Sequence, residues 1–259
     1  MVGSREKITV LIEAVNEVHL LKECIESAHL LTDNVILIDQ ASTDDSVKVA
    51  LDLKAKVIQH DPVTVVEEIR KFGIDKVTTE WVFILDADER ITESLAKIID
   101  DILCEGVSDI THYKVPRRNT FGGTTWLKHG GWWPDEQLRM IKLSAFVDWP
   151  TPIHSTPKIE GTMAILTEPL VHHFHGDITK MVEKTALFEE VESNLLYKAG
   201  RKSGTLIFIR KFMGELNRRL FRNAGFMDGP IGIIESCYQA YSKTITYLYL
   251  YEKQKSRPL

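Results

Sequence analysis

Two aspartates one residue apart, Asp86 and Asp88, follow the apolar run Trp81–Leu85 (WVFIL), with Glu89 directly behind them. Along an extended backbone, residues two apart point to the same side, so both carboxylates can be presented to one point. Such a pair at the end of a buried strand suits a hard divalent cation carrying a phosphate-bearing ligand. An isolated Asp-x-Asp equally fits a solvated turn; its place after an apolar strand favours the cation. A second carboxylate, Asp39, closes the run Asn34–Ile38 in the same way. It could hydrogen-bond a base or ribose, or start the turn that follows. Glu13-Ala-Val-Asn16-Glu17 stands where a glycine-rich phosphate loop would follow the first strand, and no Walker lysine motif occurs. Dinucleotide dehydrogenases and P-loop NTPases are therefore disfavoured.

These carboxylates need a sheet to hold them. Ile8–Ile12 is apolar and β-branched, Val18–Leu31 has helical periodicity, and Asn34–Asp39 is again continuously apolar, which together make a β-α-β unit. Ser42-Thr-Asp-Asp45 has the form of a capping box opening a helix through Leu53, before a strand at Lys56–Gln59 and a helical stretch after Pro62. Strands that are apolar throughout, rather than alternating, predict a parallel sheet covered on both faces. From Asp109 to Val171 the pattern changes to short apolar pieces and an aromatic loop running from Phe121 through Trp126 to Trp132-Trp133-Pro134. After Asp177 the periodicity predicts helices through Ala199, from about Thr205 to Arg222, and from about Ile231 to Gln254.

The chain has 259 residues, 44% hydrophobic and 27% charged, which is ordinary globular usage and excludes wholesale disorder. Its formal charge of −5 argues against a nucleic-acid binder. The sum conceals a division: Arg201 to Arg222 holds seven Lys and Arg against one acid, Glu215, a net +6 that leaves −11 for the remainder. In that basic stretch Phe208, Phe212, Leu216 and Leu220 recur every four residues. The stripe fits either packing against the catalytic domain or contact with an anionic bilayer. The polar segment Met1–Lys7 before Ile8 predicts no export signal, and no apolar run reaches the roughly 18 residues that span a bilayer. Cys24, Cys104 and Cys237 have no metal-ligand spacing and read as buried reduced thiols of a cytoplasmic protein.

Taken in order, these residues resemble the family-2 glycosyltransferases of the GT-A fold. The resemblance rests on Ile8–Ile12 with Asn16-Glu17, Val35–Asp39 with Ser42-Thr-Asp44, and Trp81–Leu85 with Asp86-Ala-Asp88-Glu89. It continues through Pro134-Asp135-Glu136-Gln137-Leu138-Arg139, His154, His172 and Gly225-Phe-Met-Asp228-Gly229. It is nearest to the short bacterial enzymes that glycosylate the lipopolysaccharide core and related surface glycans.

The resemblance implies an α/β, Rossmann-like mixed sheet flanked by helices: a catalytic domain at 1–175, with a nucleotide-sugar half (1–108) and an acceptor half (109–175). A C-terminal helical extension follows at 176–259. It also implies a UDP-linked nucleotide-sugar donor, in that Asp39 would meet uracil, with Ala14 and Glu17 enclosing the nucleotide. Asp88 would reach Mg2+ or Mn2+, Asp86 the ribose or a metal-bound water, and His172 the metal, with His173 and His175 as neighbouring alternatives. Arg70-Lys71-Phe72 stands where this branch carries a Lys-Asn pair, and Gln40 follows Asp39 where a second acid is common.

For transfer to a glycan or glycolipid hydroxyl with inversion, a base must take the acceptor proton. Asp135 is the candidate and Glu136 its rival. Arg139, with Arg70 or Lys71, would clamp the leaving phosphate. Trp126, Trp132 and Trp133 offer faces for a sugar or pack beneath the loop, and His154 lines the acceptor side or is an ordinary loop residue. The expected location is the cytoplasm, including the inner face of its membrane. A non-catalytic sugar-nucleotide-binding protein and a sugar nucleotidyltransferase remain as alternatives, since fold alone does not fix chemistry.

Overall fold

The computed structural model describes residues 3–63, 66–106, 109–122, 124–150, 155–174 and 178–255. Contacts divide the chain into two compact units: Met1–Arg117 with Glu136–His172, and Arg118–Asp135 with His173–Leu259. Residues 118–135 group with the C-terminal helices.

In the first unit, β1 (Ile8–Ala14) lies parallel between β2 (Val35–Asp39) and β4 (Trp81–Asp86), and β3 (Lys56–Gln59) runs parallel outside β2. Buried on both faces, Val10, Leu11, Ile12, Leu37, Ile38, Phe83 and Leu85 have no more than 0% exposure. Each such side chain contributes about 1.5–3 kcal/mol on burial. The helices α1 (Val18–Ala28), α2 (Ser46–Asp52) and α3 (Val66–Ile74) connect these strands. On α3, a Cβ at Gly73 would come 2.8 Å from a Leu11 methyl and 3.2 Å from Ile38, so glycine permits the close approach of that helix to the sheet.

The sheet turns antiparallel at β8 (Glu136–Lys142), which pairs with β4 on one side and with β6 (Ile110–Phe121) on the other. Beyond β6 come β12 (Leu170–His172) and β5 (Glu89–Arg90), antiparallel to each other, while β11 (Thr162–Ile165) also pairs with β6. A separate small sheet pairs β9 (Phe146–Asp148) with β10 (Lys158–Ile159). The sequence reading passed over α4 (Glu93–Glu105), although its signals are present. Thr92 caps it by accepting from the Leu95 N–H, Leu95, Ala96, Ile99 and Leu103 are buried, and Gly106 ends it at φ 67°.

In the second unit, the end of β6 forms a hairpin with β7 (Thr125–Trp126), and α7 (Gly229–Lys255) packs on both α5 (Ile178–Lys198) and α6 (Thr205–Leu216). A π-helical stretch, Asn217–Arg222, continues α6 and breaks the four-residue repeat before Leu220. The expected stripe is half-covered at Phe212, Leu216 and Leu220, whereas Leu206 (84% exposed), Ile209 and Met213 form a bare face that the sequence reading did not single out.

Two other expectations need correction. The Ser42–Asp45 segment is not a capping box: α2 starts at Ser46, and Asp45 makes no side-chain cap. Ser42 Oγ instead accepts the Asn16 N–H at 2.9 Å, and Asp44 Oδ2 accepts the Val18 N–H at 3.1 Å. The loops after β1 and β2 are thereby laced together. Only Cys24 is a buried thiol; Cys104 and Cys237 are exposed, and all three are free.

Candidate active site

Register brings the strand-end residues to one edge. Ala14 on β1 pairs with Asp39 on β2, and Glu13 pairs with Asp86 on β4. Asp39 is fully buried, and its Oδ2 accepts the Ser42 N–H at 3.1 Å. Among the described residues its buried Oδ1 has no hydrogen-bond partner. The Ala14 carbonyl accepts the Gln40 N–H at 3.1 Å. Glu17 caps α1 by position, and its backbone N–H reaches Ser46 Oγ at 3.1 Å. Asn16 Oδ1 accepts the Thr43 N–H at 2.8 Å, so the rim around Asp39 is held by hydrogen bonds from both loops.

The two aspartates of the acidic motif have different surroundings. Asp86 Oδ1 accepts from Arg70 Nη2 at 2.8 Å and Oδ2 from Arg139 Nη2 at 2.5 Å. Arg139 also donates to Glu89 at 2.5 Å, and Arg117 lies 3.5 Å from the same Glu89 oxygen. Burial opposes ionisation of Asp86, but Arg139 and Arg70 outweigh it and hold the carboxyl well below the usual carboxylate range. Burial raises Glu89, against the pull of Arg139. Glu13, 3.6 Å from Arg70, is pushed up to about 8 by burial that the guanidinium only partly offsets.

Arg139 is 2% exposed and committed to Asp86 and Glu89. In this placement its guanidinium is a counter-charge to both carboxylates. Of the neighbouring basic pair, Arg70 turns to Asp86, while Lys71, half-exposed, lies 2.5 Å from Asp148. Glu13 and Arg117 are the members of this network that the sequence did not single out. Their signal was weak, because each is an ordinary charged residue whose partner is remote in the chain.

Asp88 is differently placed. The short pairing of β5 with β12 sets His172 opposite Glu89, and His172 Nε2 lies 3.5 Å from Asp88 Oδ2. The imidazole is largely buried and the carboxylate 29% exposed. A carboxylate oxygen and an imidazole nitrogen are both atoms that a divalent ion such as Mn2+ accepts as ligands. Among the described residues no group of three or more His, Cys, Asp or Glu could hold a metal by itself.

Glu136 opens β8 opposite Pro116, within the same unit. Asp135 belongs to the second unit, where Asn119 Nδ2 donates to its Oδ2 at 3.1 Å. There Trp126 and Trp133 pack edge to face at 5.2 Å, and Trp132 lies 4.4 Å from Phe174. His173 Nδ1 is 3.5 Å from Thr120 Oγ1. His154 and His175 lie outside the described residues.

Comparison with known proteins bears on this arrangement. The family model described as Glycosyl transferase family 2 matches residues 9–157. An uncharacterized glycosyltransferase of Rickettsia conorii is 23% identical over 258 residues, covering 92% of this chain and 87% of its own. The lipopolysaccharide core biosynthesis glycosyltransferase LpsC of Rhizobium meliloti is 23% identical over 264 residues, covering 97% and 95%. Glucosyl-3-phosphoglycerate synthase from Mycobacterium tuberculosis, solved with Mn2+, UDP and glucosyl-3-phosphoglycerate, aligns with a TM-score of 0.47 and 15% identity over 77% of this chain and 82% of its own. The mixed sheet flanked by helices is the GT-A architecture expected from the sequence. With more than half of its length matched by the family model, the chain belongs to glycosyl transferase family 2 and is a glycosyltransferase.

Proposed function

We propose that the chain is an inverting, divalent-metal-dependent hexosyltransferase. It moves a hexose from a UDP-linked donor to a hydroxyl of a glycan or glycolipid, in lipopolysaccharide or cell-surface polysaccharide synthesis. The observation that carries the reading is the Asp88–His172 pair, at the motif that follows β4. The similarity to LpsC supports the biosynthetic setting.

Asp88 and His172 fit Mn2+ or Mg2+, which when bound would stabilise negative charge on the leaving diphosphate. Asp39 Oδ1, buried and unpartnered, suits an N–H of the uracil ring, with Ala14 and Glu17 beside it. Asp86, fixed by two guanidiniums, orders the strand end and presents an ionised edge to the ribose. Asp135 takes the proton of the acceptor hydroxyl while that oxygen bonds to the anomeric carbon and the bond from that carbon to the donor phosphate breaks. Attack opposite the leaving group inverts the centre.

Thermal-shift measurements with UDP, GDP and CDP in Mn2+, followed by sugar-nucleotide turnover, test the donor. UDP with Mn2+ is expected to raise the melting temperature most. Asp88→Ala is expected to abolish both that rise and turnover in a folded chain. Near-normal turnover in Asp88→Ala would sink the metal role, and a nucleotide that stabilises without any turnover favours a binding protein.

The acceptor side extends to a membrane in this reading. Leu206, Ile209 and Met213 are bare beside exposed Arg201, Lys202 and Arg210, a composition suited to an anionic inner leaflet. No helix among the described residues is long and apolar enough to cross a membrane. Flotation with anionic vesicles at moderate salt is expected to carry the chain upward, and its absence there removes the membrane contact.

A further inference from the structure

The turn between α6 and α7 contains a carboxylate for which the proposed reaction has no use. Asp228 is only 6% exposed in its side chain. Its Oδ2 accepts the backbone N–H of His129 at 2.8 Å, and its Oδ1 lies 2.7 Å from His129 Nδ1.

The same turn grips the next residues of the loop. Gly130 N–H donates to the Asn223 carbonyl at 2.8 Å, and Arg219 Nη1 donates to the Gly130 carbonyl at 3.3 Å. The Arg219 guanidinium lies 4.9 Å over the Trp132 ring. Backbone meets backbone here. A Cβ at Gly131, where φ is 84°, would come 2.8 Å from Asn223 Nδ2, and one at Gly232 would come 2.0 Å from the Gly225 carbonyl oxygen.

The far end of the loop is held as well. Asn119, fully buried, donates through Nδ2 to the Trp132 carbonyl and to Asp135 Oδ2, both at 3.1 Å. Residues 129–135 are thus pinned at one end by Asp228 and Asn223 and at the other by Asn119, all within the second unit.

We propose that Asp228 is a positioning residue for the transfer reaction: through His129 and Gly130, the C-terminal turn fixes the loop that aims the Asp135 carboxylate. This rests on the reading of Asp135 as the base. It makes the helical C-terminus a working part of the acceptor side.

The test uses the full chain with Asp228→Ala and Asp228→Asn. Amide exchange in peptides covering 128–135 is expected to quicken about tenfold or more in Asp228→Ala, with peptides from β1 and β4 unchanged. Hydrolysis of UDP-glucose in Mn2+ is expected to lose about thirtyfold to a hundredfold in kcat at unchanged donor KM. Asp228→Asn, which keeps an oxygen for the His129 N–H, is expected to recover most of both. Unchanged exchange in 128–135, a kcat within about twofold of the parent, or a donor KM that rises in step with the loss overturns the proposal. Exchange needs no turnover, so it decides whether Asp228 holds the loop even in a chain that leaves UDP-glucose intact. Parent-like turnover in Asp135→Asn overturns the base assignment and this proposal with it, whereas unchanged exchange overturns this proposal alone.

Discussion

The parallel strands of the first unit and the helices of the second reach stability by different means. Val10, Leu11, Ile12, Phe83 and Leu85 are sealed in the sheet, and the carboxylates stand only where the strands end. In the second unit α6 buries no residue, and α7 buries Ala240, Tyr247 and Leu250 together with Glu235, Ser236, Ser242, Thr244 and Thr246. Ser242 donates to Glu189 at 2.7 Å, and Thr246 donates to the other Glu189 oxygen. The sheet is organised by apolar burial and register, the helical unit by a mixture of apolar and hydrogen-bonded polar contacts with one side of α6 left bare. Charge is therefore expensive to disturb in the first unit, and apolar surface is cheap to disturb in the second.

The largest effect is expected at Arg139. Arg139→Ala takes one of two guanidiniums from Asp86 and leaves buried Glu89 with Arg117 alone, 3.5 Å away, and is expected to lower the unfolding free energy by about 3–5 kcal/mol, read from urea denaturation. A loss below about 1 kcal/mol would mean that the network is wetter than its burial indicates.

Next comes the question of which unit supplies the base. Asp135→Asn is expected to reduce kcat by about a hundredfold or more with donor binding kept. If Glu136→Gln has that effect instead, the base moves to the neighbouring residue, and from the helical unit to the sheet.

Glu13 gives the comparison a pH dependence. Its folded pKa of about 8 lies above the ordinary 4.5, so the folded chain retains a proton that the unfolded chain has released. The stability linked to Glu13 is full below about pH 4.5 and declines as pH rises towards 8. Glu13→Gln is expected to remove that decline, gaining about 1–3 kcal/mol on the parent between pH 5 and pH 8 without ligands. Parallel curves for parent and variant would show that Glu13 ionises normally.

The smallest change is expected at Leu206. Leu206→Ser should alter stability by no more than about 0.5 kcal/mol, while weakening retention on anionic vesicles. A large destabilisation would show that this face is covered in solution.

Much of the sheet was legible because its signals are local. The strand Lys56–Gln59 has the bounds read from sequence, and Val35–Asp39 and Trp81–Asp86 differ by one residue at an end. Continuous apolar runs closed by carboxylates leave little choice of element or edge. The division of labour between Asp86 and Asp88 was not legible. It depends on Arg139, 53 residues away, and on a two-residue pairing of β5 with β12 that no periodicity announces. Ser42-Thr-Asp-Asp45 misled for the same reason: Ser42 and Thr43 answer to Asn16 across a loop, and Asp44 divides its oxygens between Val18 across that loop and the Ser46 N–H at the start of α2. Asp228 was visible as part of a motif, but its partner His129 is 99 residues distant.

The three thiols have a practical consequence. Cys24 is sealed in the first unit, and burial pushes its thiol far above the ordinary range, so it resists alkylation at neutral pH. Cys104 on α4 and Cys237 on α7 are exposed, one on each unit. A maleimide dye or spin label added to the unaltered chain would mark these two sites and leave the third untouched. Each unit thus carries its own reporter position, at which donor or acceptor binding can be read separately.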